Sequence, residues 1–212
     1  MSRRLAVAVL ALVFAGSAGS GLLAIRSKPQ ASDAPKKSPE AVATEALNSG
    51  LKRLDKADQI EAKNPKQARK EYAAALKDFQ SAIAAAPDNY RAHNGAGYSL
   101  RKLGNYERAL ASYERALILA PTSSEAIEYR AEAYLGLNRL DAAKQAYMHL
   151  FVHDRTASTV LMKAMKAWVE KHRGQPAGVE PAAIDAFDTW VRERDTLASS
   201  VVNLGHNSPD WK

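Results

Sequence analysis

A block of 34 residues recurs along this chain and limits the folds open to it more than any other feature. Pro87 and Pro121 lie 34 residues apart, and a third copy continues with Ala143 and Tyr147. The helix before each proline carries the same order of small and aromatic side chains, namely Ala75, Phe79 and Ala82 in one copy and Ala109, Tyr113 and Ala116 in the next. Repeats of this length are small helical units that bury a shared core by stacking. We therefore expect a stack of similar units.

The spacing within one copy predicts an antiparallel pair of helices. In the copy from Tyr90 to Ser123, Gly97 and Ala109 are small enough to let two helices approach closely. Gly104 and Asn105 supply the turn between the helices. The same copy also contains two aromatic wedges and the proline that ends the second helix, which are Tyr106, Tyr113 and Pro121.

This arrangement closely resembles the tetratricopeptide repeat family. The resemblance implies an all-α fold, a right-handed αα superhelix of about three helix pairs, with C-terminal capping helices to cover its last face. The repeat domain is expected at 39–157, with repeats at about 39–89, 90–123 and 124–157. The third repeat departs from the family at Leu150 and Arg155, where Ala and Pro are usual, as a terminal repeat can.

The first repeat is longer than the others. Its second helix matches up to Pro87, but the small residue of its first helix is Gly50, about thirteen residues earlier than in a regular unit. Asn64 and Pro65 form the only break in this stretch, and helix-forming residues flank them. Each helix should gain roughly six or seven residues, so that the hairpin projects on the order of 10 Å beyond its neighbours.

Two further helical patterns follow the repeats. Apolar stripes beginning at Val160 and Ile184, the second opened by Pro181, predict two more helices. Because a repeat stack must cover its last face, residues 158–197 are expected to form a helical cap. Residues 198–212 lack a clear period and are expected to be a disordered tail.

The N-terminus has the pattern of an export signal. Leu5 to Ile25 contains no charged residue and follows Arg3 and Arg4. Residues 1–26 are expected to be a cleaved signal peptide or, if uncleaved, a membrane anchor, because the uncharged stretch is long enough to cross a bilayer. Residues 27–38, rich in Pro, Ser and Lys, are expected to be a flexible linker. We expect an exported protein, periplasmic or anchored to the inner membrane with its repeats outside the cytoplasm.

Composition excludes several classes of function. The chain has no cysteine, which rules out disulfides, thiolate metal sites and cysteine nucleophiles. Its formal net charge is +7, but residues 1–38 carry five more basic than acidic side chains, which leaves only +2 for the rest. A nucleic-acid surface needs a concentration of Lys and Arg on one face, and none is evident. No nucleic-acid partner is expected.

Helical spacing selects a set of groove residues, since the family resemblance implies that the first helices of successive repeats line a groove for peptides or partner helices. The predicted groove is Arg91, Asn94, Tyr98, Arg101 and Lys102 in the second repeat, and Glu125, Glu128 and Glu132 in the third. One wall would be basic and the next acidic. The three glutamates are also explained as a solvated helix face that offsets the basic wall. The family's clamp for chaperone C-termini is not expected, because it needs cations where Glu125 and Glu128 stand.

The resulting functional hypothesis is a non-enzymatic scaffold or adaptor of the bacterial cell envelope, which binds a protein or peptide and uses no cofactor. The lengthened first hairpin is the alternative binding surface. Two other hypotheses are a self-assembling structural protein, which would be a homo-oligomer, and a histidine-based metal-binding or hydrolytic protein. His149 and His153 share a helix face, but Leu150 occupies the place of the catalytic Glu in the H-E-x-x-H motif. Chance explains this histidine pair better, so no catalytic or metal site is predicted.

Overall fold

The computed structural model describes residues 37–174 and 178–206, with side chains up to residue 200. This part of the chain is all-α and forms a helical repeat fold, as predicted. Its eight helices are α1 (Pro39–Glu61), α2 (Pro65–Ala85), α3 (Tyr90–Lys102), α4 (Tyr106–Leu119), α5 (Ser124–Gly136), α6 (Leu140–His153), α7 (Arg155–Gly174) and α8 (Pro181–His206).

Local hydrogen bonds define where the first helix of each repeat begins. The hydroxyl of Ser38 accepts from the N–H of Ala41 at 3.2 Å, and Asn89 and Ser123 cap α3 and α5 in the same way. Such caps satisfy N–H groups that have no partner within the helix. Between α3 and α4, Gly104 adopts a φ of +84°, which glycine tolerates without strain.

Consecutive helices pack as antiparallel pairs, and the first helices of the pairs also contact one another. α3 lies against both α1 and α5, and α5 in turn packs against α7. The indole N–H of Trp168 on α7 donates to the backbone oxygen of Leu135 at 2.9 Å. α7 and α8 therefore continue the stack as the predicted C-terminal cap, and they share their core with α5 and α6.

Aromatic wedges set the distance between the first helices. Phe79 is fully buried, and a Cβ placed on Gly50 of α1 or Gly95 of α3 would come within 2.7 Å or 2.5 Å of its ring. Gly97 meets the ring of Tyr113 in the same way, at 2.6 Å. Contacts this short leave no room for a methyl group, so glycine is required for the helices to approach this closely.

The first hairpin is lengthened as predicted. α1 continues eleven residues past Gly50, whereas α3 ends five residues past Gly97. α2 begins fourteen residues before Phe79, whereas α4 begins seven residues before Tyr113. The hairpin extension, comprising residues 55–72, has a small core of Ala57, Ala68 and Tyr72. It does not stand free, because Glu61 forms an ion pair with Lys102 of α3.

Two sequence expectations concern the chain ends. The prediction of a disordered tail from residue 198 is wrong for 198–206, because α8 extends to His206. Extending a helix that is already formed adds a hydrogen bond for each further residue and needs no apolar period. The predicted signal or anchor at 1–26, and the linker except for its last two residues, lie outside the described residues. No helix in 37–174 or 178–206 is long and apolar enough to cross a bilayer.

Gly97→Ala should destabilise the protein, even though alanine is the better helix former. The added methyl group would collide with the Tyr113 ring, and overpacking of this kind costs about 1 to 3 kcal/mol. Gly174→Ala is the control, since a Cβ there meets no atom within 4 Å. Urea unfolding followed by circular dichroism should show a lower midpoint for the Gly97 variant alone. Equal midpoints for both variants would contradict this account of the packing.

Candidate functional site

A cleft of about 280 Å³ opens where α1, α3 and α5 meet. α3 and α5 supply side chains that helical spacing predicted, and α1 supplies others that it did not. The lining residues are Leu51, Leu54, Asp55 and Asp58 from α1, Arg91, Asn94, Gly95 and Tyr98 from α3, and Glu125 and Tyr129 from α5. Four of the eight predicted groove residues therefore line one cleft, namely Arg91, Asn94, Tyr98 and Glu125.

Asp58 connects the hairpin extension to the cleft. Its carboxylate accepts hydrogen bonds from the hydroxyls of Tyr98, at 2.9 and 3.0 Å, and Tyr72, at 2.5 Å. Burial and the charge of Asp58 together raise the pKa of both tyrosines above the usual value. The two hydroxyls therefore keep their protons and act as donors, which holds Asp58 and the Tyr98 ring in place.

The predicted basic wall of α3 is largely neutralised by neighbouring residues. Arg101 forms an ion pair with Glu132 of α5, and only 12% of its side chain is exposed. Its guanidinium also lies 4.8 Å from the centre of the Tyr98 ring and 5.4 Å from that of Tyr129. Lys102 pairs with Glu61. Arg101 and Lys102 therefore join α3 to α5 and to α1, respectively. Arg91 is the basic residue that lines the cleft.

Asn94 carries a polar atom with an unmet hydrogen-bonding need. The residue is 6% exposed, and its amide nitrogen donates to the Glu125 carboxylate at 2.9 Å. Its amide oxygen has no hydrogen-bond partner among the described residues. Leaving a buried acceptor unpaired costs roughly 1 to 3 kcal/mol.

Glu128, which was predicted to face the groove, is buried at 5% exposure and is not among the cleft-lining residues. Burial, together with a hydrogen bond to the Glu132 carboxylate and its charge, raises the pKa of Glu128 to about 9. The side chain is therefore a neutral acid at physiological pH and can donate to Glu132, which in turn pairs with Arg101. Glu128 therefore contributes to the packing of α5 and does not line the cleft.

The polar lining residues that helical spacing did not select come from two sources. The α1 residues Asp55 and Asp58 belong to the hairpin extension, where the 34-residue register no longer applies. Tyr129 lies four positions after the predicted Glu125, an offset that puts both side chains on one face of α5. That offset is a signal by which Tyr129 could have been found.

The histidine pair has no completed metal site around it. The rings of His149 and His153 are 4.5 Å apart between centres, and both side chains are exposed on α6. Across 37–174 and 178–200, no group of three or more His, Asp or Glu side chains is arranged to hold a metal ion.

Glu128→Gln should stabilise the protein more at alkaline than at acidic pH. The folded chain keeps the Glu128 proton up to about pH 9, whereas the unfolded chain loses it above the ordinary pKa of 4.5. Between these two pH values the free energy of unfolding of the parent protein therefore falls as pH rises. Urea unfolding should show a gain at pH 8.5 that exceeds the gain at pH 5 by at least about 1 kcal/mol. Glu114→Gln, exposed on α4, controls for the loss of a charge. Equal gains at both pH values would contradict the assignment.

Comparison with known proteins identifies the family of these repeats. Two family models, both described as tetratricopeptide repeat, match residues 62–124 and 100–167. One similar solved structure is the second TPR of Spaghetti (RPAP3) bound to HSP90 peptide SRMEEVD, at 21% identity and a TM-score of 0.40, covering 52% of this chain and 96% of that one. None of the curated proteins compared with the chain matches it. The chain belongs to the tetratricopeptide repeat family, whose repeats serve protein–protein interaction.

Proposed function

We propose that the chain is a non-enzymatic adaptor of the bacterial cell envelope, and that its cleft between α1, α3 and α5 binds a short extended segment of a partner protein. The observation that carries this proposal is Asn94, a residue that lines the cleft and whose buried amide oxygen has no hydrogen-bond partner in the described chain. Each residue of an extended peptide, except proline, offers a backbone N–H that suits this acceptor. Binding would therefore satisfy a group that is unsatisfied in the free protein.

The cleft also has the rigidity expected of a recognition site. Tyr98 and Tyr129 meet edge to face with ring centres 4.9 Å apart, and Arg101 lies against both rings. Side chains held in this way lose little conformational freedom on binding, which favours affinity. The volume of about 280 Å³ suits a short extended segment better than a helix, whose diameter with side chains is roughly 10 to 12 Å.

The groove and the lengthened hairpin are two parts of one proposed surface. Asp55 and Asp58 belong to the hairpin extension, yet they line the cleft beside Tyr98. The extension supports the cleft wall through the bonds of Tyr72 and Tyr98 to Asp58. Deleting it would therefore damage the groove as well, so point substitutions are needed to locate the binding site.

The envelope location is supported by the uncharged segment from Leu5 to Ile25 after two arginines. A cleaved signal would release the repeats into the periplasm, and an uncleaved one would anchor them to the inner membrane. Protease added to spheroplasts should digest the repeat domain without lysis. Protection until lysis would overturn the envelope proposal and leave the adaptor proposal in place.

Asn94→Leu should weaken partner binding by at least about tenfold, as expected for a buried interface anchor. The substitution is nearly isosteric and removes an unsatisfied buried acceptor, which offsets the lost hydrogen bond to the exposed Glu125, so Tm should change little. The full-length protein and its variants are used as bait for the native envelope fraction, and captured proteins are quantified by mass spectrometry. Asn48→Leu makes the same change on α1 outside the cleft and should have no effect on binding.

Two outcomes would contradict the proposal. Equal capture of the same partner by the parent and Asn94→Leu proteins would remove the cleft as the binding site. Capture of this chain alone would instead support the self-assembling alternative, which light scattering at several protein concentrations would then establish.

A further inference from the structure

We propose that the cleft selects partner segments carrying a lysine or arginine side chain, an inference that rests on the proposed peptide-binding function. The charges lining the cleft point to this class of ligand. Asp55, Asp58 and Glu125 contribute three carboxylates, and Arg91 contributes one guanidinium. The lining therefore has an excess of two negative charges, which attracts a cationic group.

The lining carboxylates differ from the neighbouring acids in their pairing. Glu61 is paired with Lys102, and Glu132 with Arg101. By contrast, none of the three lining carboxylates forms an ion pair with a basic residue of the described chain. The three carboxylates accept hydrogen bonds from neutral donors only, so no ion pair compensates their negative charge, whereas Glu61 and Glu132 are compensated.

The hydrogen-bonding groups lead independently to the same ligand. The Asn94 amide nitrogen is used on Glu125, and the Tyr98 hydroxyl is used on Asp58, so both of these donors are engaged. The Asn94 amide oxygen remains as a buried acceptor without a partner in the described part of the chain. Ammonium and guanidinium groups are rich in donors and carry no acceptor, so they match the carboxylates and the amide oxygen of the lining residues.

Aromatic rings complete the match. Tyr98 and Tyr129 both line the cleft, and each already has the Arg101 guanidinium within 5.4 Å of its ring centre. The positive charge of Arg101 is compensated by Glu132, so it does not reverse the negative character of the cleft. Lys102, which lies 5.9 Å from the centre of the Tyr98 ring, is likewise paired with Glu61. A cationic side chain of a ligand can therefore lie between tyrosine rings and carboxylates, a combination that favours arginine and lysine over neutral residues.

The test begins with a random dodecapeptide phage library selected on the full-length protein. Enriched sequences should share a Lys or Arg, and a synthetic peptide of the best sequence should lose at least about fivefold in affinity when that residue becomes Gln. The Asp55→Asn, Glu125→Gln double variant should bind the cationic peptide at least about fivefold more weakly and bind its Gln form unchanged. Fluorescence anisotropy measures all four affinities. Raising the salt concentration should weaken only the cationic pair.

The control double variant Glu114→Gln, Asp141→Asn alters net charge by the same amount on α4 and α6, outside the cleft. It should bind the cationic peptide as the parent does. Peptides that bind the cleft, as shown by loss of affinity in Asn94→Leu, but have no preference for Lys or Arg would overturn this inference and leave the proposed function intact. Failure to select any peptide that depends on the cleft would overturn both.

Discussion

The close approach of the first helices around the Phe79 ring is the contact on which the rest of the structure depends. Gly50 of α1 and Gly95 of α3 both lie against this ring, with no room for a further carbon atom. That contact fixes how far apart α1 and α3 lie. The cleft is bounded by these two helices and α5, so its width depends on how the Phe79 ring packs between α1 and α3. The width of the cleft is thus set by the buried Phe79 ring, which is not itself among the residues that line it.

The lengthened hairpin changes the character of that surface. A regular first repeat would end its first helix about six residues earlier, before Asp58 and Glu61. Because α1 continues, Asp58 reaches the hydroxyl of Tyr98, and Glu61 reaches Lys102. The extension thereby adds carboxylates to the cleft and neutralises a cation beside it. A change in helix length thereby changes the electrostatics of the cleft.

The sequence patterns predicted the fold well because they are local. Small, aromatic and proline residues at a fixed spacing predicted the helix pairs, and the displaced Gly50 predicted the longer hairpin. The site was only partly predictable. Arg91, Asn94, Tyr98 and Glu125 follow from helical spacing, but the pairing of Arg101 with Glu132 and of Lys102 with Glu61 joins different repeats. Burial of Glu128 likewise depends on packing that a single helix does not encode.

The central claim is that partners bind in the cleft, and site-specific photo-crosslinking in native cells tests it most directly. A benzophenone amino acid replaces Arg91 in the cleft, Lys63 at the exposed hairpin tip, or Glu114 on α4, in three separate full-length variants. Irradiation should join a partner protein to the variant carrying the probe at position 91, and to neither of the others. Crosslinking of the same partner at position 63 or 114, with none at position 91, would contradict the account.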